Sequence, residues 1–175
     1  MAIIDTKTGK VCITSYHCVS KKFDAFLYQD DKLMIGTQYF KKDFLNDQER
    51  FDNISEYFIQ AMKALEVQPE DKFVIEGYAM GATGRVFNIA ENTGIMKHKI
   101  YKTFKKDCLL APPMSVKKFA TGKGNAKKDK MSEAFTERFG ITLYNLLGCK
   151  IDGSPSSDII DAYFIAKYGQ EELCN

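Results

Sequence analysis

A chain of 175 residues, 45% hydrophobic and 27% charged, is long enough for one domain with a sizeable core. Its net charge of +2 is too small to imply nucleic acid by itself, and no apolar run approaches the roughly 18 to 20 residues of a bilayer span. The five cysteines, Cys12, Cys18, Cys108, Cys149 and Cys174, are odd in number and form no C-x-x-C pair. That argues against a disulfide framework and a zinc site, and with no signal-peptide pattern at the start it fits a reducing cytoplasm.

Ala2 to Val19 reads as strand: Ala-Ile-Ile runs to Asp5, Thr-Lys-Thr-Gly-Lys makes a polar turn, and Val11 to Val19 carries β-branched residues and a tyrosine. Ser20 to Asp31 has no clear pattern beyond a turn at Asp30-Asp31, and Lys32 to Phe40 is a further strand. Asn46 or Asp47 caps a helix to about Leu65, with Phe51, Ile54, Phe58, Met62 and Leu65 in one apolar stripe. Phe73-Val-Ile-Glu76 reads as a short strand buried on both faces and ending in a carboxylate. Gly77 to Gly84 is a loop with three glycines. A helix from about Arg85 to His98 would turn Val86, Ile89, Ala90 and Ile95 inward, and the basic stretch Lys99 to Lys106 either finishes or leaves it.

Asp107 to Ala111 is a short strand stopped by Pro112-Pro113, and Ser115 caps a helical turn through Phe119. Thr121-Gly-Lys-Gly-Asn125 is a flexible, basic loop. Lys127 to Phe139 is a helix with Met131, Ala134, Phe135 and Phe139 on one face, and a last helix runs from near Ser157 to about Tyr168, before Gly169. Neither a repeat nor an interdomain linker interrupts residues 1–175, so the chain reads as a single domain. Antiparallel strands followed by strand-helix alternation give a mixed α/β sheet flanked by helices.

Three features carry chemistry. An ionised Glu76 at the end of a buried strand is costly unless a donor or a metal satisfies it. Asp158 and Asp161, three apart at the start of a helix, share one face and gain from the helix dipole. The plain reading makes them terminal and capping acids, but Ile159, Ile160, Ala162 and Phe164 around Asp161 point to a buried helix whose acid wants a partner. With Glu76 they could hold hard divalent cations through oxygen ligands, as in two-metal phosphodiester hydrolysis. Lysines crowd Lys117, Lys118, Lys123, Lys127, Lys128 and Lys130, which is either a solvated face or a clamp on phosphate backbone. Arg85 at a helix start could meet a phosphate, although Gly81-Ala-Thr-Gly-Arg85 has neither phosphate-loop spacing. Tyr78 should lie near the mouth of the site, where it either touches substrate or packs. His17 and His98 lack ligand spacing and read as structural.

Three blocks together resemble a known family: Phe73-Val-Ile-Glu-Gly-Tyr-Ala-Met-Gly with Gly84-Arg-Val-Phe-Asn-Ile-Ala-Glu-Asn-Thr-Gly, then Pro112-Pro-Met-Ser-Val-Lys-Lys-Phe-Ala-Thr-Gly-Lys-Gly-Asn-Ala-Lys-Lys, then Ser157-Asp-Ile-Ile-Asp-Ala-Tyr. In this order, over roughly residues 70 to 170, they resemble RuvC-like Holliday junction resolvases, closest to the bacteriophage versions. The resemblance implies an RNase H-like fold and Mg²⁺-dependent cutting of four-way and other branched DNA junctions by a homodimer, with two ions and Mn²⁺ as a substitute. It implies that Glu76, Asp158 and Asp161 are catalytic, metal-holding acids. It puts Lys117, Lys118 and Lys128 in a basic region that contacts DNA or supports catalysis, and it makes the helix from Arg85 to Lys97 a dimer contact. The family's aromatic wedge is not evident, since Ala79 and Met80 occupy its region.

The N-terminus departs from the family's G-[IL]-D-x-[SG] strand, because no glycine precedes Asp5. Two registers are open. Either Ala2 to Asp5 is the first strand and Asp5 the first catalytic acid, or this segment is already the second strand with its hairpin turn and the first strand is missing. Asp-Thr-Lys-Thr-Gly-Lys before Val-Cys-Ile favours the hairpin. In that register the chain lacks one acid, and a non-catalytic DNA-binding protein on a degenerate scaffold becomes the alternative.

Overall fold

A computed structural model describes residues 2–4, 11–17, 22–29, 32–39, 46–64, 67, 71–78, 86–153 and 156–173, with side chains from Asn46 onward. Four strands come first: β1 (Ala2–Ile4), β2 (Val11–His17), β3 (Lys22–Gln29) and β4 (Lys32–Tyr39). They pair antiparallel in the order β1-β2-β3-β4, with Ile3 opposite Cys12, Thr14 opposite Ala25, and Phe26 opposite Ile35. The regular strand β3 crosses the stretch that shows no clear sequence pattern; its polar and apolar residues do not alternate cleanly, so pairing on both edges specifies it.

The helix α1 (Asp47–Ala64) starts where expected, with the Asn46 Oδ1 accepting the Glu49 backbone N–H at 2.9 Å. Its stripe Phe51, Ile54, Phe58 and Met62 is buried. The strand β5 (Phe73–Glu76) pairs in parallel with β6 (Cys108–Ala111), so Glu76 lies opposite Ala111. Between them runs α2 (Val86–Phe104), which packs on α1. The basic stretch therefore finishes this helix rather than leaving it. Lys105 closes the helix in the left-handed region with φ 55°, its N–H bonded to the Tyr101 carbonyl. Ile89, expected inward, is 59% exposed; among the described side chains of α2 the buried ones are Met96 and Ile100, which face α1 and β5.

The C-terminal part is helical: α3 (Pro113–Thr121), α4 (Lys128–Phe139), a short α5 (Leu143–Leu146) and α6 (Ser156–Tyr168), then a π-helical turn over Gly169–Leu173. The N-cap of α3 is Pro112, not Ser115, because the helix opens at Pro113, whose fixed φ suits the first helical position. The loop after α3 is tied down rather than loose. Gly122 takes φ 78° and gives its N–H to Lys118, and the Thr121 hydroxyl donates to the Lys117 carbonyl while accepting the Lys123 N–H.

Two cores flank β5. Phe73 packs with α1 and α2, stacked on Phe104 at 5.4 Å and edge-on to Phe58 at 6.2 Å. Val74 faces the other way, into a cluster built from α3, α4 and α6 with Met131, Phe135, Ile160 and Tyr163. Alternate side chains of one strand thus serve both layers, as a doubly covered strand must. Burying each large side chain contributes about 1.5–3 kcal/mol, so these clusters fix the ends of β5 and α6 firmly. The helix α6 packs across β1, β2 and β5, and the two sheets meet where β1 lies against β5.

Candidate active site

Glu76 is the last residue of β5, and the N–H of Gly77 after it bonds the carbonyl of Ala111, the β6 residue opposite Glu76, at 2.8 Å. Glu76 itself is exposed, unlike the three buried residues before it. The expected cost of burying this acid therefore falls only partly on it. Even so, the surrounding protein raises its carboxyl above the ordinary range, first by desolvation and then through the Asp161 carboxylate, against the pull of Lys117.

Asp161 lies in the second turn of α6, one turn beyond Asp158, because the helix begins at Ser156. Buried Ile159, Ile160, Ala162 and Phe164 seat the helix as the sequence leads one to expect. The Asp161 carboxyl is also raised, chiefly by desolvation and further by Asp158, while Lys128 and Lys117 oppose the shift. The fold has thus brought acids separated by more than eighty residues into electrostatic contact, with a lysine from α3 and another from α4 beside them.

Asp158 takes a different role from Asp161. Its Oδ1 lies 4.0 Å from the Lys128 Nζ, and the Ser157 hydroxyl donates to it at 3.5 Å. Lys128 in turn donates to the Ser157 Oγ at 2.9 Å. Ser157 is 2% exposed, and a spacing argument passes over it because serine at a helix start reads as a cap. Among the described residues no three His, Cys, Asp or Glu side chains gather closely enough to hold a metal ion together. The arrangement is a coupled acid pair, Glu76 and Asp161, flanked by Asp158 and its lysine.

Lys118, Lys123 and Lys127 are exposed and Lys117 is half-buried, along α3, the tied loop and the start of α4. Lys130 pairs with Glu133 on the helix surface. Tyr78 is 42% exposed two residues beyond Glu76, so it does not serve as core. His98 is exposed on α2. Asp5, Arg85 and the region of Ala79 and Met80 lie outside the described residues.

No family model matches the chain, and no curated protein matches it in sequence. Solved structures do match. RuvC from Thermus thermophilus aligns with a TM-score of 0.54 at 12% identity, over 93% of this chain and 96% of that one. The T. thermophilus RuvC in complex with a Holliday junction substrate gives a TM-score of 0.58 at 12% identity, over 93% of this chain and 95% of that one. The chain has the RuvC fold. Within it Glu76 closes β5, Asp161 lies on α6, which packs on β5 and β1, and Lys117 of α3 and Lys128 of α4 border the acids. Among the described residues no helix is long and apolar enough to cross a membrane.

Proposed function

We propose that the chain is a divalent-cation-dependent endonuclease that cuts four-way and other branched DNA junctions, a bacteriophage-type RuvC-like resolvase of the RNase H-like superfamily. One observation carries the reading: on the RuvC fold, the Asp161 carboxylate adds to the charge cost of Glu76 at the end of β5, Asp158 adds to that of Asp161, and Lys117 opposes both. Two carboxylates in this state are the donors a hard cation relieves, so their chemistry fits Mg²⁺. Glu76 and Asp161 would hold it, with Asp158 one turn away on α6 as the further acid that the family resemblance implies. Bound there, a pair of such ions supplies an activated water and stabilises the leaving 3′ oxygen.

The protein's own part is to fix the acids at the ends of β5 and α6 and to meet the incoming phosphate with ammonium groups. The position of β1 against β5 supports the register in which Ala2 to Asp5 is the first strand, with Asp5 as a further acid. Phe87, 79% exposed on α2, and Ile89 beside it support α2 as the contact of a homodimer. Lys118, Lys123 and Lys127 would grip phosphates without reading bases, and Arg85 and Tyr78 are further candidate DNA contacts, so selectivity would come from the shape of the junction. The cysteine usage fits a reducing cytoplasm, that of the host for a phage protein.

The test is cleavage of a labelled four-way junction in Mg²⁺ by the wild type and by Glu76→Gln. The expected outcome is abolished cleavage with junction binding nearly intact; lost binding in the variant would make Glu76 structural. The departure of the N-terminus from the family's first-strand motif leaves one competing reading, a non-catalytic binder of branched DNA. Wild-type protein that binds the junction but yields no product at any concentration of Mg²⁺ or Mn²⁺ would establish that reading. Competition with forks and RNA-DNA hybrids identifies the preferred substrate.

A further inference from the structure

We propose that Ser157 is a positioning residue: its buried hydroxyl fixes the Lys128 ammonium at the edge of the acid pair, so that a phosphate drawn to the site meets a preset cation. The anchoring stands on geometry; the role of the ammonium rests on the nuclease reading. Lys128 is the first residue of α4 and its side chain is 51% exposed, so nothing about its own helix holds the ammonium in place. Ser157 is 2% exposed in the first turn of α6, with its backbone N–H bonded to the Gly153 carbonyl at 3.0 Å. The hydroxyl is therefore carried on a fixed backbone.

The distances rank the contacts. Lys128 Nζ is 2.9 Å from Ser157 Oγ but 4.0 Å from Asp158 Oδ1, and the hydroxyl bridges onward to that oxygen at 3.5 Å. A close ion pair would have tied an Asp158 oxygen to the lysine. The neutral hydroxyl accepts from the ammonium and donates to the Asp158 oxygen, so it holds the cation near the acids through a bridge rather than a close ion pair. The charges facing this ammonium come from α6, Asp158 and Asp161, and Lys117 of α3 also acts on Asp161.

The experiment compares wild type, Ser157→Ala, Lys128→Met and the double variant. In the first measurement an amine-reactive ester labels the DNA-free protein, and mass spectrometry follows Lys128 against Lys127 as an internal reference. Lys128 should label several-fold faster in Ser157→Ala while Lys127 is unchanged. In the second, single-turnover cleavage of a four-way junction in Mg²⁺ should slow ~10-fold in Ser157→Ala, the loss expected of one hydrogen bond to a charged group. Junction affinity measured in Ca²⁺ should hold, and the serine change should add nothing on the Lys128→Met background.

Equal labelling of Lys128 in both proteins overturns the anchor. A Ser157→Ala loss as large on the Lys128→Met background as on wild type overturns its action through the lysine. If the wild type cuts no junction, the nuclease reading fails, and the labelling comparison still decides whether Ser157 holds Lys128.

Discussion

Glu76 and Asp161 both have raised carboxyl pKa values, through desolvation first and neighbouring carboxylates second. The folded chain therefore keeps these protons after the unfolded chain has released them. Stability from each group is complete below its ordinary value, 4.5 for Glu76 and 3.8 for Asp161, and falls as pH rises through that value toward the raised one. A neutral isostere removes the loss. In metal-free buffer, Asp161→Asn should raise the thermal midpoint by on the order of 2 °C at about pH 7, and the gain should vanish near pH 3. Circular dichroism melts at the two pH values measure this; an equal or lower midpoint at both would remove the charge strain from the account. Adding Mg²⁺ should stabilise wild type more than the variant, because a cation bound to the folded state relieves the same repulsion. The same group would then be unfavourable for stability and needed for activity, as expected where an active site is assembled from like charges.

At the level of elements, the contact between the end of α6 and β5 sets where the acids stand. A β-carbon added at Gly169 would fall inside the van der Waals surface of the Val74 side chain, meeting its Cγ1 at 2.9 Å, while the Gly169 backbone itself is in an ordinary region. Glycine is required there by close approach and not by φ. Val74 is the middle of the strand that ends in Glu76, and it is buried in the cluster that seats α6. Gly169→Ala should therefore cost about 1–3 kcal/mol in chemical denaturation and should also reduce cleavage, by pushing β5 away from Asp161. Wild-type stability in this variant would mean that the π-helical turn yields instead of the strand. In contrast, Gly94 has open space around it and should accept alanine without loss.

For the whole molecule, the modest net charge conceals an uneven distribution: Lys117, Lys118, Lys123, Lys127 and Lys128 fall within twelve residues. The fold places this basic run on α3, the tied loop and the start of α4, beside the acid pair. Binding of a four-way junction should weaken steeply with salt, and each of Lys118→Ala and Lys123→Ala should lower the slope of log K against log salt by about one. Titrations by fluorescence anisotropy at several salt concentrations measure the slope. An unchanged slope in both variants would assign the run to a solvated face. Since phosphate contacts carry no base information, neither change should alter preference among junction sequences.

Local chemistry was enough to reveal β5 and its terminal Glu76, the cap and stripe of α1, the start of α6 and the lysine run, because each depends on neighbours within a few positions. The Asn46 cap, the apolar spacing from Phe51 to Met62, and the change from Phe-Val-Ile to an acid and a glycine are signals of that kind. The mixed α/β character was legible for the same reason. Long-range packing decided the rest. β3 forms because two strands pair with it; α2 extends to Phe104 because Met96 and Ile100 bury against α1 and β5; and Ile89, inward by periodicity, faces out. The meeting of Glu76 with Asp161, and the link from Lys128 through Ser157 to Asp158, join residues far apart in the chain. No periodicity encodes such contacts; they arise when α6 closes over β1, β2 and β5.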